Sequence, residues 1–369
     1  MLTHFMSIIP DTVKSTIKST VKSTVKSTIT IFIAFWSICD DAILTRWSGF
    51  ATVIMITAAG LLLLAALTRR RAAFALPVLL IAAAMSVSWA YNRDLSPAIV
   101  QFIFYAAGIG AMYTAAWLGG DVIKRALFWA GPVWLAGVMI AWAAGIHINR
   151  NIIAFWPVIW IVATLERPGL RKWTRLGILA VYAAVILWSD SRGAMLAAAV
   201  ALLVYHPPDF QSARQRIAAG VLSTGLFGVL VIASPRNSAA RLYYWSSSLR
   251  AMWQHNPLFG LGPGGILARG VMQEPGEIWN VPHAHNIPIH HTAELGLLGL
   301  AALVAIAVWC WRRRAWLDRW QLAVLAGVMT HSMVDHPLFY FSPLVVVLMI
   351  VGTIEKGKEH ADGQETIPA

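Results

Sequence analysis

Four histidines fall within nine residues, at His283, His285, His290 and His291, and Glu294 follows them. An imidazole changes charge near neutral pH and suits proton transfer, so a general base is the first chemistry this cluster suggests. Zinc is the second. The helical metal-binding pattern needs two histidines four apart around an internal Glu, whereas Glu294 lies outside the cluster and Pro288 interrupts it, so no metal is expected here. Two further groupings carry charge beside polar or aromatic residues. One is Ser189-Asp190-Ser191-Arg192-Gly193, set between two short apolar segments. An arginine at membrane depth needs an anionic partner, which is either a substrate or a structural carboxylate such as Asp190 or Asp335. The other runs through Arg241-Leu242-Tyr243-Tyr244-Trp245 to Arg250-Ala251-Met252-Trp253. Guanidinium groups bind phosphate oxygens bidentately, and the rings beside them suit sugars. An interfacial aromatic belt with snorkelling arginines is the alternative reading. The run Gly260-Leu261-Gly262-Pro263-Gly264-Gly265 has no following Lys-Ser/Thr and no strand before it, so it reads as a turn and not as a nucleotide loop.

These groups must be positioned by apolar helices. Of 369 residues, 58% are hydrophobic and 12% charged, which excludes a water-soluble fold, and the apolar runs are continuous, which excludes a β-barrel. Candidate spans lie near 29–45, 49–67, 72–90, 97–118, 126–146, 152–165, 176–188, 193–205, 217–233, 291–311, 321–335 and 339–354. The expected fold is therefore an all-α polytopic membrane protein of about 12 transmembrane helices, or 11 if 29–45 does not span. Three segments, 152–165, 176–188 and 193–205, are short for a span and are expected to extend into polar flanks or to lie partly within the protein. The two cysteines, Cys39 and Cys310, offer no disulfide framework.

The net charge of +12 follows the positive-inside rule. Alternate short loops hold 17 Lys and Arg on one side, Arg69 to Arg71 and Arg312 to Arg314 among them, and only Arg93, Arg150 and Arg192 on the other. The crowded side is read as cytoplasmic. Ser191-Arg192, the long 234–288 loop and His285 then share the outer face. Within that loop Arg241, Trp245, Leu249 and Met252 recur at helical spacing, predicting an amphipathic surface helix over 238–254 closed by Pro257. The chain divides into a basic low-complexity segment 1–28, helices over 29–233, the periplasmic loop 234–288, helices over 289–354 and a cytoplasmic tail 355–369. Residues 13–28 repeat a Val/Ile-Lys-Ser-Thr unit that reads either as an interfacial anchor or as a low-complexity extension. No small-residue cleavage site follows the first apolar stretch, so a removed signal peptide is not expected.

The order of these motifs resembles that of bacterial O-antigen ligases and the related O-antigen polymerases. His285-Asn286, nine residues, then Gly296-Leu297-Leu298-Gly299 is similar to the family's His-Asn-x9-Gly-x-x-Gly signature. Ser191-Arg192-Gly193-Ala194 and Asn256-Pro257-Leu258-Phe259-Gly260-Leu261-Gly262 resemble two further motifs, in the same order. The resemblance implies a GT-C-like membrane glycosyltransferase that moves a glycan from undecaprenyl diphosphate to the lipid A-core oligosaccharide in the periplasm, with inversion and without a metal or other cofactor. It implies His285 as the base, with Arg192 and Arg241 as the diphosphate-binding pair and Arg250 competing with Arg241 for that role. Tyr244, Trp245, Asn286 and Glu294 are expected to bind substrate. A polymerase acting on a second lipid-linked repeat unit shares the donor chemistry and stays open. A transporter fits less well, because the polar groups gather at one face and no matching halves are visible.

Overall fold

The computed structural model describes residues 75–93, 95–145, 148–206, 235–272, 281–312 and 314–354. The lysine repeat, the spans expected at 29–45, 49–67 and 217–233, and the tail 355–369 lie outside the described residues. Among the described residues the chain is helical and has no strand. In chain order the helices are α1 Ala75–Asn92, α2 Leu95–Leu118, α3 Gly120–Ala143, α4 Arg150–Leu165, α5 Lys172–Trp188, α6 Arg192–Tyr205, α7 Pro235–His255, α8 Gly265–Ala268, α9 Ile287–Arg312, α10 Arg319–Ser332 and α11 Phe341–Gly352.

Helix α4 is the hub, because every residue from Ile152 to Thr164 is buried and α3, α5, α6 and α10 all pack on it. At 16 residues it is only about 24 Å long, short of the roughly 30 Å hydrocarbon core, so its neighbours and not lipid receive its apolar side chains. Its centre is aromatic: Trp160 lies 4.6 Å from Trp134 and 5.3 Å from Trp156 between ring centroids. Among the described residues two helices, α3 and α9, are long and apolar enough to cross a bilayer on length and composition. Their outward surfaces are apolar as well, with Trp129, Ile140 and Trp142 exposed on α3 and Val304, Val308 and Trp311 exposed on α9. The short apolar helices α4 and α6 lack the length for that. Helix α6 runs antiparallel to α10 through small residues, Gly327 lying against Ala197 and Ala201, and this seam brings Gly193 at the start of α6 against His331 and Val334 at the end of α10.

Helix α9 is not continuous, in contrast to the single span expected over 291–311. It breaks at Gly296, whose φ of 69° and ψ of −161° are non-helical. The break frees backbone groups that would cost several kcal/mol each if left unpaired in an apolar setting. The 256–262 loop takes them up. Leu261 and Gly262 donate to the carbonyls of Ala293 and Glu294 at 3.0 and 2.9 Å, and Leu297 and Leu298 donate to those of Pro257 and Leu258 at 2.8 and 3.3 Å. The Ser88 hydroxyl of α1 also reaches the carbonyls of Phe259 and Glu294. The Gly-rich run is thus more than a turn back to the membrane, since it completes a broken helix.

Such an approach of two backbones excludes side chains at the crossing. A Cβ on Gly296 would lie 2.3 Å from the Leu258 carbonyl oxygen, and one on Gly260 would lie 2.4 Å from the Glu294 oxygen, with both glycines at positive φ. Gly296→Ala should therefore destabilise by more than about 2 kcal/mol, whereas Gly177→Ala, in open space within α5, should be neutral or stabilising by up to about 1 kcal/mol. Thermal unfolding of the purified protein in detergent checks this, and equal melting temperatures for the two variants would contradict it.

Candidate active site

The segment entering α9 presents His285, and the turn leaving α10 presents its partner. His285 Nδ1 lies 2.9 Å from Asp335 Oδ1, so the ring donates Nδ1–H to the carboxylate and carries its lone pair on Nε2. Asp335 also accepts the His336 backbone N–H at 2.8 Å. Burial pushes the Asp335 carboxyl up, but the hydrogen bond and charge of His285, with His283 and His331 behind it, outweigh this and hold it below the ordinary carboxylate range. The carboxylate is therefore charged and orients the imidazole. Tyr244 of α7, itself buried, stacks on His285 with centroids 5.5 Å apart and planes at 24°.

Asn286 locks this arrangement to the protein. Its Oδ1 accepts the Ile289 backbone N–H at 2.9 Å, which caps α9, while its Nδ2 donates to the Met333 carbonyl at 2.7 Å, which ties the head of α9 to the turn that holds Asp335. His285 itself has a φ of 51°, and Asp190, two residues before Arg192, has a φ of 53°. Left-handed backbone at a non-glycine residue costs roughly 1–2 kcal/mol and tends to mark functional sites.

Arginines approach from two elements. Arg192 opens α6 beside Gly193, whose Cβ position lies 2.9 Å from the His331 ring and 2.7 Å from Val334. Arg241 on α7 is close enough for its charge to act on His331. The start of α6 and the charge of Arg241 thus both reach His331 at the end of α10, next to the turn that carries Asp335. Arg250 does not join them. Nine residues of helix are about two and a half turns, so Arg250 emerges on the opposite side of α7 from Arg241 and about 13 Å further along it.

Other expected substrate residues serve the protein itself. Glu294 is buried, and its carboxylate accepts from the backbone N–H of Gly264 at 2.9 Å, that of Ile266 at 3.3 Å and Gln101 Nε2 at 2.9 Å, with His290 Nε2 at 3.4 Å. It clamps the Gly-rich segment and α2 to α9. Tyr244 supports the imidazole, and Trp245 packs on the apolar cluster of Met252, Ile266 and Val281 beneath α7. Asn286 is a cap. Asp335, weighed in the sequence only as a partner for Arg192, pairs with His285. The signal for it was weak, an acidic residue just past a short apolar helix.

His283, His285 and Asp335 also form a potential metal-binding group, their ligand atoms lying within 4.8 Å of one another. His290 and His291 take no part in it. His290 turns to Glu294, and His291 Nε2 meets the Tyr105 hydroxyl at 2.8 Å.

Residues 177–304 match the sequence model of a known family, described as O-antigen ligase. Over this segment the chain is similar to the O-antigen ligase family. No curated protein matches the chain. The ligase-family segment spans about a third of the sequence and contains Arg192, Arg241, His285 and the Gly260/Gly296 crossing, but it ends before His331 and Asp335. His285 lies inside the matched segment, and the carboxylate that pairs with it, Asp335, lies outside it.

The cluster also makes acid a threat to the fold. Burial pushes His283 well below the usual 6.5, aided by the charge of His285, and burial does the same to His336 beside His290 and His283. Both fold as neutral rings. Below about 6.5 the unfolded chain binds protons that the folded one refuses, so stability falls with falling pH. The Asp335 contribution is present above the ordinary carboxyl value of 3.8 and is lost only below it. The melting temperature should therefore drop between pH 7 and pH 5, and less steeply in His283→Gln/His336→Gln. Identical slopes for both proteins would contradict the assignment.

Proposed function

We propose that the protein is an O-antigen ligase of the bacterial inner membrane, a polytopic protein of about 12 spans with its active site facing the periplasm. The donor is a glycan on undecaprenyl diphosphate and the acceptor is lipid A-core oligosaccharide. The observation that carries the reading is the His285–Asp335 pair, with Arg241 acting on the nearby His331 and Arg192 opening the helix that packs there, within and beside a ligase-family segment.

His285 Nε2 takes the proton from the acceptor hydroxyl while that oxygen attacks the anomeric carbon, with Asp335 stabilising the imidazolium that forms. The glycosidic C–O bond to the diphosphate breaks on the opposite face, which inverts the anomeric centre. The leaving diphosphate gains negative charge, and preplaced guanidinium groups stabilise that charge without having to reorganise. Arg192 and Arg241 are those groups, and no metal is needed. The 234–288 region, including α7, lies on the periplasmic surface in this scheme. Polymerase remains the second reading, because a lipid-linked repeat unit can present the attacking hydroxyl to the same groups. A transporter is disfavoured by the discontinuity in α9 itself: an ion pathway would use the freed backbone groups, and here the 257–262 loop occupies them.

Purified protein in detergent, supplied with lipid-linked donor and either acceptor, tests the scheme. His285→Ala should lower kcat by about 10²- to 10⁴-fold, and Asp335→Asn should lower it less but in the same direction, with donor KM little changed in both. Product on lipid A-core identifies a ligase, and extended lipid-linked product a polymerase. Activity removed by EDTA and restored by zinc would instead assign His283, His285 and Asp335 to a metal.

The two arginines make a separate prediction. Arg192→Ala and Arg241→Ala should each remove most activity, and the Lys variants should rescue poorly, since an ammonium cannot bind two phosphate oxygens in a planar fork. Full activity in both Lys variants would leave the arginines a point-charge role only.

A further inference from the structure

The arginine that faces away from the reaction centre has a site of its own. On the far flank of α7, a cleft of about 520 Å³ is lined by Ser247, Arg250, Gln254, His255 and Arg269, with an apolar floor that includes Leu261. Among the described residues no carboxylate lines it. Among the described residues neither Arg250 nor Arg269 has an ion-pair partner.

Part of this wall is held in place in advance. Asn92 of α1 donates through Nδ2 to the carbonyls of Ser88 at 2.9 Å and Gly260 at 3.4 Å, which leaves its Oδ1 as an acceptor. Into that oxygen His255 donates from Nε2 at 2.7 Å and Arg269 from Nη2 at 3.4 Å. Arg269 Nε donates to the Leu261 carbonyl at 3.2 Å. Neither bond uses Nη1. Burial lowers the proton affinity of His255, and the Arg269 charge lowers it further, which reflects the positive field of the cleft. Arg250, by contrast, is exposed and lines the cleft from α7.

We infer that this cleft binds an anionic sugar, one bearing a phosphate or carboxylate, and that the sugar belongs to the acceptor glycan. Paired guanidinium groups with hydroxyl and amide donors beside them suit an oxyanion on a saccharide. The volume is in the range of small-molecule sites and is larger than a lone phosphate needs. The acceptor is the better occupant because Arg192 and Arg241, across α7, already take the donor's charge in the proposed reaction. This last step rests on the ligase reading, whereas the anion site itself does not.

The test uses the full-length protein in detergent with glucosamine 6-phosphate as the ligand and glucosamine as its uncharged control, measured by calorimetry. To silence the other arginine site, binding is read in an Arg192→Gln/Arg241→Gln background. The phosphorylated sugar should bind there and the plain sugar should not, and adding Arg250→Gln should weaken binding about tenfold or more at an unchanged melting temperature. Arg269→Lys, which keeps the charge but loses the fork, should weaken it as well. Equal binding of the two sugars, or no effect of Arg250→Gln, overturns the site. In the transfer assay Arg250→Gln alone should raise the KM for an anionic acceptor about tenfold and leave the donor KM and the use of a neutral acceptor unchanged. A rise in donor KM instead overturns the assignment to the acceptor. Binding at Arg250 in a protein that transfers no glycan would sustain the anion site and remove the ligase reading, so the two fail separately.

Discussion

Two backbones cross without side chains at Gly260 and Gly296, and the site is built outward from that contact. The crossing breaks α9 and hands its unpaired carbonyls and N–H groups to the 257–262 loop. Four backbone hydrogen bonds in an apolar environment hold the junction, and Glu294 reinforces it by accepting from Gly264 and Ile266 on the far side of the loop. Since α7 leads into the loop and His285 immediately precedes α9, the crossing sets the position of the arginine helix relative to the histidine. A single methyl group at either glycine would separate the two backbones.

A second layer of positioning comes from the end of α10. The small-residue seam with α6 brings Arg192 to the same turn that carries Asp335, and Asn286 joins that turn to the head of α9 through the Met333 carbonyl. His285 consequently has a charged partner on Nδ1 and a stacked tyrosine on its face. These are the requirements of a base that must work beside a developing diphosphate. In the proposed reaction the imidazole takes the proton while the guanidinium groups take the charge, two tasks assigned to different residues held by different helices.

Helix α7 divides the chemistry further. Its buried face, Tyr244, Ser248 and Met252 at spacings of four, supports the histidine, and its two flanks carry Arg241 towards His331 and Arg250 into the cleft with Arg269. One helix can thus meet two charged groups of a long substrate on opposite sides. The half-turn between the arginines is what allows this.

Much of this was legible in the residues. Composition and continuous apolar runs required helices, because only helices satisfy every backbone group where water is absent. The order of the Ser-Arg-Gly-Ala, Asn-Pro-Leu-Phe-Gly-Leu-Gly and His-Asn segments pointed to the family, and the helix over 238–254 was visible in its apolar spacing. Even the opposed directions of Arg241 and Arg250 follow from a separation of nine residues. Which of the two faces the histidine did not, because that depends on how α7 is rotated against the 281–286 segment. Asp335 was beyond reach for a similar reason: it is fifty residues from His285, and its identity as the partner comes from the packing of α10 on α6. The sequence also could not separate residues that touch substrate from residues that hold the site, so Glu294, Asn286 and Tyr244 were all read as ligand contacts. A polar or aromatic side chain has the same spacing signature in either role. Only its neighbours in three dimensions, here backbone N–H groups, a helix end and an imidazole ring, decide which role it has.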